Sequence, residues 1–359
     1  MNRSTLRHSL TRPLPALVAC ALLLSACGSG DPDTAATGES AGGAADADAC
    51  AGLEGENLTL VVPYSPGGGY DSYARLIAPT LGDKIGATVV VKNKPGAGGL
   101  LALNELLTAD ADGTSFAIMN GIGAGGASLA GAEGASFKLD ELSYIGRVAG
   151  DAQMIVSAGD SQYKTWEDVE AASGFKFGST GPGASDFVTP SLLISVFDLD
   201  AKLVTGFEGS SEVELALLQG SVDGMSGQLD SRQAGLESGD QQALVTFDRE
   251  RPDIAPDAPT ILELDIDEDQ KALLEAHLNL LDVGRPLVGP PDMDADALEC
   301  LRGALAETVE DPTLVARAAE AKRPFNYLSG EELDEAITGL LDAPEEYVSV
   351  LTKSFAESS

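Results

Sequence analysis

The sequence predicts an α/β protein with two lobes, and two observations carry this prediction. Short runs rich in Val, Ile and Phe alternate with segments of helical periodicity, as in Leu58–Val62, then Ser72–Ile85, then Thr88–Val91. Such alternation is typical of α/β lobes with mainly parallel sheets. The region from Leu53 to Ser359 is also long enough to form two lobes, each with its own core.

The same alternation predicts further elements along the chain. The other predicted strands are Ser115–Met119, Met154–Ser157, Lys176–Gly178, Lys202–Thr205, Val222–Met225, Ala243–Phe247 and Pro286–Val288. The other predicted helices are Leu100–Thr108, Trp166–Ala172, Phe187–Val196, Ser211–Gln219 and Ala295–Val309. Glycines follow most of the strands, and in open α/β sheets a ligand lies beyond the carboxyl ends of the strands. We therefore expect the glycine-rich loops to surround a ligand.

Residues 1–26 have the features of a bacterial lipoprotein signal peptide. Three arginines precede an apolar segment, Leu14–Leu24, and the sequence Leu-Ser-Ala-Cys ends at Cys27. The apolar segment has about 11 residues, whereas a membrane-spanning helix needs about 20. The pattern predicts cleavage before Cys27, acylation of its thiol, for instance with palmitate, and a membrane anchor on the extracytoplasmic face. An ordinary cleaved signal and a stray hydrophobic N-terminus are the alternatives.

Residues 27–52 are predicted to form a flexible tether, because Gly28–Ala49 contains no aromatic or large aliphatic residue and cannot bury a core. The formal net charge of the chain is −35. Nucleic acid and anionic lipid are therefore poor partners for the surface of the folded region. An anionic ligand would have to be held by short-range donors inside a cleft, because the long-range field opposes it.

Two cysteines are available to the folded region. Cys20 lies in the predicted signal peptide and Cys27 is the predicted lipidation site, which leaves Cys50 and Cys300. In an oxidising compartment these two form one disulfide or stay separate thiols. A bridge would close a loop of about 250 residues, for which the chain-entropy model gives at most about 5 kcal/mol.

The most distinctive motif is a glycine-rich loop between the first predicted strand and the first predicted helix. Val62–Ser72 reads Val-Pro-Tyr-Ser-Pro-Gly-Gly-Gly-Tyr-Asp-Ser. The glycines let the backbone approach a ligand closely, and the N–H groups at a helix N-terminus bind a carboxylate or a phosphate. Alternatively, the glycines only form a tight turn, with Asp71 or Ser72 as a helix cap. The loop is not a P-loop, because no Gly-Lys-Ser/Thr follows.

Two other loops have a similar design. Asn93–Leu100 could face the first loop across a crevice, or it could simply be a turn that packs against its neighbour. Gly178–Asp186 adds hydroxyl donors, which bind a carboxylate without carrying charge. Ser185 or Asp186 could equally cap the helix that follows.

The segment Gly121–Gly126 formally fits the Gly-x-Gly-x-x-Gly fingerprint of dinucleotide-binding proteins. Asp140 lies about 20 residues further on, as the fingerprint requires. However, Ala127–Ala135 makes a poor helix, and a dinucleotide outside the cell has no route of regeneration. We therefore predict that no cofactor binds here.

Side chains suited to catalysis or metal binding are scarce. Beyond the predicted signal peptide, His277 is the remaining histidine, and its neighbours Ala276 and Leu278 favour a structural role over that of a general base. The parts of a Cys–His pair, a Gly-x-Ser-x-Gly motif or a histidine-rich metal site are missing. We predict no enzyme and no metal site; Asp71 and Asp230 could bind a cation, but a helix-capping role and a hinge or loop role are favoured for them.

Several segments, taken in order, resemble the substrate-binding receptors of tripartite tricarboxylate transporters, the Bug or TctC type. The segments are Leu60–Asp71 with Arg75, Val89–Gly99, Ala111–Thr114, Ser143–Val148, Tyr163–Asp168, Leu218–Met225 and Arg251–Glu263. The resemblance runs in uninterrupted order from about Leu58 to Ser359.

The resemblance implies a type II periplasmic-binding-protein fold, also called a Venus flytrap. It places residues 53–150 and 281–359 in the first lobe and residues 151–280 in the second. It also implies that the loops Ser65–Asp71 and Ser179–Ser185 hold a ligand carboxylate, largely through backbone amides and hydroxyls. The ligand-binding residues expected on this basis are Ser65, Gly68, Gly69, Tyr70, Asp71, Asn120, Ser179, Thr180, Gly183, Ser185, Gly227 and Gln228.

The chain departs from this resemblance in the second-lobe loop. Family members often carry a histidine there, whereas this chain has Asp186-Phe187. If Asp186 faces the cleft, it repels a second carboxylate, which argues against a di- or tricarboxylate such as citrate. Phe187 and Tyr70 would instead suit an aromatic or monocarboxylate ligand.

We therefore expect a monomeric extracytoplasmic receptor that captures a small organic carboxylate between its lobes. The resemblance implies that it delivers this ligand to the membrane permease subunits of a tripartite tricarboxylate-type transporter. One alternative is a receptor that presents the ligand to a membrane signalling partner. Another is an exported hydrolase with a pair of acids, which only the abundance of acidic residues suggests.

Overall fold

The computed structural model describes residues 49–357, all of which lie in one compact unit that spans Gly42–Ser359. The predictions for the signal peptide, for Cys27 and for most of the tether concern residues outside the described range. Within that range, no helix has the length and apolar character needed to cross a membrane.

Strands and helices alternate along most of the described chain. The strands are β1 Asn57–Val62, β2 Thr88–Asn93, β3 Ser115–Ile118, β4 Ser143–Ala149, β5 Gln153–Ala158, β6 Phe175–Gly178, β7 Ala201–Val204, β8 Gly224–Gln228, β9 Gln241–Phe247, β10 Arg285–Gly289 and β11 Leu328–Ser329. The helices are α1 Gly69–Ile85, α2 Leu100–Leu106, α3 Gly121–Leu129, α4 Trp166–Glu170, α5 Ser185–Val196, α6 Ser210–Leu218, α7 Leu229–Ser238, α8 Glu268–Val283, α9 Ala295–Glu310, α10 Pro312–Glu320, α11 Gly330–Leu341 and α12 Glu345–Glu357. Short 3-10 helices occur at Ala49–Gly52, Ala97–Gly99, Leu139–Glu141 and Ile261–Glu263.

Every predicted strand and helix is present, with its ends shifted by up to three residues. Strands β4 and β11 and helices α3, α7, α8, α10, α11 and α12 were not predicted as elements. Strand β4 contains the buried Arg147, which interrupts its apolar pattern. Helix α3 contains four glycines, which disfavour a helix by about 1 kcal/mol each. In both elements tertiary packing stabilises a structure that the local sequence disfavours.

The strands form two mixed sheets rather than the mainly parallel sheets that we predicted. The first has the order β11-β4-β10-β3-β1-β2 and the second the order β7-β6-β8-β5-β9. In each sheet three neighbouring strands are parallel, and the remaining strands pair antiparallel. Apart from β11, the antiparallel strands β4, β5, β9 and β10 flank the crossings, because the chain leaves the first sheet after β4 and returns to it at β10. This arrangement gives one lobe per sheet.

Cys50 and Cys300 form a disulfide, with their Cα atoms 4.9 Å apart. The bridge joins the 3-10 helix Ala49–Gly52 to helix α9, and Leu53 beside it is buried. The last four residues of the predicted tether therefore belong to the folded region rather than to the flexible segment.

The largest cluster of buried apolar side chains joins the two lobes. In this cluster Phe187 of α5 packs against Phe355 of α12, with ring centroids 5.3 Å apart. Helix α8 packs against α3, α11 and α12 in the same region. The helices that follow β9 therefore fasten the first lobe to α5 of the second.

Candidate functional site

A cavity of about 230 Å³ lies between the two lobes. Nine of the twelve residues expected to bind a ligand line it, namely Ser65, Gly68, Gly69, Tyr70, Asn120, Thr180, Ser185, Gly227 and Gln228. The other three, Asp71, Ser179 and Gly183, do not line it. The remaining lining residues are Tyr64, Pro66, Ala184, Asp186, Glu208, Gly209, Ser210, Ser211, Glu212 and Ser226.

The first-lobe wall is the loop from β1 to the N-terminus of α1. Gly68 is the N-cap of the helix, and Gly69 and Tyr70 begin it. The first N–H groups of a helix have no intrahelical partner, and the helix dipole makes this end positive. Because Gly69 and Tyr70 line the cavity, the N-terminus of α1 offers uncharged donors for an anionic group of a ligand.

Asp71 supports this loop from behind. Its carboxylate accepts hydrogen bonds from the Gly67 N–H, the Asn93 side chain and the Arg75 guanidinium, each at 2.9 Å. Burial alone would raise the pKa of Asp71, but these donors, Arg75 foremost, lower it. Asp71 therefore holds the loop in shape rather than contacting a ligand, which replaces the direct binding role expected from the sequence.

Tyr64 and Asn120 form a second part of the first-lobe wall. The Asn120 Nδ2 donates to the Tyr64 hydroxyl at 2.7 Å, and that hydroxyl donates to the Gly98 carbonyl at 2.9 Å. The Asn120 Oδ1 accepts from the Gly123 N–H and caps helix α3. One amide thus both starts a helix and places a donor on the cavity wall.

The second-lobe wall differs from the expectation at Asp186. The Asp186 carboxylate accepts from the Thr180 N–H at 3.0 Å, the Thr180 hydroxyl at 2.9 Å and the Ser179 hydroxyl at 3.1 Å. These are donors that we expected to bind the ligand. Asp186 is 7% exposed and lines the cavity, and burial raises its pKa to about 6. The Asp186 carboxylate therefore accepts the hydrogen bonds of Ser179 and Thr180 that we expected a ligand carboxylate to accept.

Phe187, the neighbour of Asp186, faces away from the cavity. It is fully buried against α12 and is absent from the cavity wall. The expectation that Phe187 contacts an aromatic ligand is therefore wrong. Successive residues on a helix point about 100° apart, so Phe187 points away from the cavity although Asp186 lines it.

Small residues let the lobes touch beside the cavity. A Cβ atom at Gly123 would lie 2.0 Å from the carbonyl oxygen of Gly183. A Cβ atom at Gly98 would lie 2.1 Å from the carbonyl oxygen of Pro182. Gly183 thus contributes a contact between lobes, and the segment Gly121–Gly126 forms the glycine-rich start of α3.

A network of charges that the sequence did not reveal lies behind the first-lobe wall. The Tyr70 hydroxyl donates to Asp151 at 3.1 Å, and Asp151 lies 3.2 Å from Arg285. Arg285 also contacts Asp230 at 3.0 Å, which in turn pairs with Arg323 at 3.2 Å. The sequence contains only a weak indication of this network. Asp151 and Arg285 are far apart in sequence, and each lies at a point where the chain crosses between the sheets.

Burial and charge set the ionisation of this network. Burial raises the pKa of Asp151 to about 6, although Arg285 opposes the shift. Burial would also raise the pKa of Asp230, but the positive charges of Arg285 and Arg323 lower it to about 2. Asp230 is therefore an ion-pair residue rather than a metal ligand. Among residues 49–357, no group of three His, Cys, Asp or Glu side chains is placed to hold a metal ion.

His277 has the structural role expected from the sequence. It is fully buried, with Nε2 3.0 Å from the Thr189 hydroxyl and Nδ1 2.9 Å from the Tyr347 hydroxyl. Burial lowers its pKa to about 3, so the ring is neutral at physiological pH. It links α8 to α5 and α12 and does not line the cavity.

A family model described as the tripartite tricarboxylate transporter family receptor, TctC, matches residues 73–332. The chain belongs to this family. TctC receptors are extracytoplasmic solute-binding proteins, so the chain is a receptor for a solute and not an enzyme, as predicted. An Agrobacterium vitis protein from the TAR-I ttuE-ttuC′ intergenic region is 27% identical over 267 residues, which is 73% of this chain and 74% of that protein.

Solved structures of TctC-like proteins share the fold. The periplasmic binding protein BugD has a TM-score of 0.69 at 22% identity, with 83% of this chain and 97% of that chain covered. MatC from Rhodopseudomonas palustris, solved with bound malate, has a TM-score of 0.68 at 21% identity, with 84% and 99% covered. These likenesses confirm the two-lobed type II binding-protein fold.

Proposed function

We propose that this receptor binds a small organic carboxylate in the cavity between its lobes and delivers it to the permease of a tripartite tricarboxylate-type transporter. The observation that carries the proposal is the N-terminus of α1, which opens directly onto the cavity at Gly69 and Tyr70. A helix N-terminus binds an anion without a basic side chain. This suits a protein whose overall negative charge repels anions at long range.

The dimensions and polarity of the cavity support a small polar ligand. A volume of about 230 Å³ is below the roughly 300–1,000 Å³ typical of sites for drug-sized molecules. Ser65 and the Asn120 amide add donors next to the helix N-terminus. Malate, a small carboxylate, is the ligand of the structural neighbour MatC.

Binding would act through closure of the lobes. Both lobes contribute to the cavity wall, so a ligand that contacts both stabilises the closed state over the open state by its difference in affinity. Exclusion of water strengthens each hydrogen bond to the ligand. The closed receptor would then dock on the permease as a monomer, held at the membrane by a lipid on Cys27.

A thermal-shift screen tests this proposal. The panel contains aliphatic and aromatic mono-, di- and tricarboxylates, with sugars and uncharged amides as controls. A ligand present at 100 times its dissociation constant adds about 2.7 kcal/mol to the free energy of unfolding, which raises the melting temperature visibly. We expect carboxylates alone to give this shift. A shift with sugars and none with any carboxylate would contradict the proposal.

A further inference from the structure

The two ends of the cavity have opposite chemistry. The first-lobe end presents donors from the N-terminus of α1 and from Asn120. The second-lobe end presents three acids, Asp186, Glu208 and Glu212. None of the described residues that line the cavity is a Lys, Arg or His. A ligand that spans the cavity therefore meets donors at one end and negative charge at the other.

Asp186 dominates the second-lobe end because it is buried there, whereas Glu208 and Glu212 are exposed at the rim. Three donors from Ser179 and Thr180 hold the Asp186 carboxylate in place. This fixes its position, and an ionised carboxylate has about four acceptor sites, so it can still accept from a ligand. The acid lies in the first turn of α5, where the helix dipole favours its ionised form.

Nearby positive charge does not cancel this acid. Arg232 is the cation whose field reaches Asp186, and it is buried and paired with Glu214 at 3.3 Å. The Tyr64 hydroxyl also lies near Asp186, but burial raises its pKa well above the ordinary value, so it stays neutral. The remaining charged groups of this end, Glu208 and Glu212, add negative potential.

We propose that the ligand of this receptor carries one carboxylate for the first-lobe end and a cationic nitrogen that binds Asp186 at the second-lobe end. The inference rests on the proposed carboxylate receptor and names its substrate class, an ammonium-bearing monocarboxylate. A second ligand carboxylate would be repelled by Asp186 and would not find free donors there, because Ser179 and Thr180 already donate to Asp186. An ammonium group gains a charge-assisted hydrogen bond at the same place.

Matched ligand pairs test the inference by calorimetry on the purified protein. Each ω-amino acid from β-alanine to 6-aminohexanoate is compared with the dicarboxylate of equal length, from succinate to pimelate, so that only the end group differs. We expect the preferred amino acid to bind at least about tenfold more tightly than its dicarboxylate partner, because hydrogen bonds to charged groups are the strong ones.

The variant Asp186→Asn removes the charge and keeps the shape of the side chain. We expect it to reduce the preference for the amino acid to about threefold or less, since the Coulombic part of the contact is lost. Asp198→Asn is the matched control, because Asp198 lies exposed just beyond the other end of the same helix, in a left-handed conformation that Asn tolerates. It should leave the preference unchanged.

A pH series gives a second readout that needs no variant. Asp186 is ionised well above pH 6 and protonated well below it. The preference for the amino acid in the wild type should therefore fall between pH 7.5 and pH 5. The same series with Asp186→Asn corrects for titration of the ligands and should show no such fall.

The outcomes separate this inference from the proposed function. If a dicarboxylate binds as tightly as its amino acid partner, or if Asp186→Asn keeps the full preference, the inference is wrong and the carboxylate receptor stands. If no carboxylate in either series or in the wider panel binds, the proposed function fails and the inference fails with it.

Discussion

Asp230 of the second lobe and Arg323 of the first lobe form an ion pair, with Oδ2 and Nη1 3.2 Å apart. The same carboxylate contacts Arg285, which is fully buried beneath the rings of Tyr70 and Tyr73. Tyr70 in turn lines the ligand cavity. Asp230 of the second lobe thus binds Arg285, and Arg285 packs against Tyr70 in the first-lobe wall of the cavity.

Loss of the Asp230 carboxylate should lower the stability of the folded protein and of its closed state. Removing one partner of a buried pair leaves charge uncompensated, so we expect Asp230→Asn to lower the free energy of unfolding by on the order of 3 kcal/mol. Ligand affinity should fall as well, because the pair with Arg323 joins the lobes. Urea unfolding and calorimetry measure the two effects. Glu237→Gln is the control, because its pair with Lys322 also joins α7 to the first lobe but is exposed, so its loss should change stability and affinity very little.

The contribution of Asp230 should depend on pH in a defined direction. Its pKa is lowered to about 2 in the folded protein, from an ordinary value of 3.8. A group with a lowered folded pKa stabilises the protein fully above its unfolded pKa and loses that effect as pH falls through the folded value. The difference in free energy of unfolding between wild type and Asp230→Asn should therefore be constant above about pH 5 and shrink between pH 4 and 2. A difference that grows on acidification would contradict this assignment.

A methyl group at Gly123 should hinder closure without unfolding either lobe. Its Cβ would meet the Gly183 carbonyl oxygen at 2.0 Å, across the boundary between lobes. We expect Gly123→Ala to reduce affinity for the best ligand of the screen by at least tenfold, as measured by calorimetry. Gly339→Ala is the matched control: Gly339 is an exposed helical glycine with open space around it. It should stabilise the protein by up to about 1 kcal/mol and leave affinity unchanged.

The two roles of Asn120 can be separated by substitution. Asn120→Ala removes both the cap of α3 and the donor to Tyr64, so stability should fall by about 1 kcal/mol and affinity should fall too. Asn120→Asp keeps the cap but adds a negative charge to the cavity wall, so affinity for a carboxylate should fall with little change in stability. Thr165→Ala removes the cap of α4, which does not line the cavity, and should lower stability alone. If Asn120→Asp binds as well as wild type, Asn120 is a cap and nothing more.

Reduction of the disulfide should destabilise the folded region. The bridge between Cys50 and Cys300 spans 250 residues of sequence, and the chain-entropy model gives at most about 5 kcal/mol for such a loop. We expect denaturant unfolding with a reductant to show a loss of up to that size. The Cys50→Ser/Cys300→Ser double variant should show the same loss with no further response to reductant. Equal stability of the wild type with and without reductant would contradict the prediction.

Local sequence was sufficient for much of the fold and for the first-lobe loop. The turn from β1 into α1 was predictable because its signals, an apolar run, three glycines and a helical pattern, are all contiguous. Helix α3 was not predictable, because its four glycines disfavour a helix locally. Neighbouring groups lie too close for side chains at these positions: backbone at Gly121 and Gly123, and the side chains of Leu280 and Val188 at Gly125 and Gly126.

The sequence by itself determined the class of the molecule: alternating α/β elements, glycine-rich loops after the strands, a pair of cysteines and too few groups for catalysis. Only the tertiary structure decided what individual polar residues do. Asp71, Asp186 and Asp230 are similar acids in sequence, but one supports a loop, one faces the cavity and one joins the lobes. The physical reason is that hydrogen bonding and ion pairing depend on groups brought together by the chain crossings, such as Arg285 and Asp151, whereas strands and helices follow from neighbours along the chain.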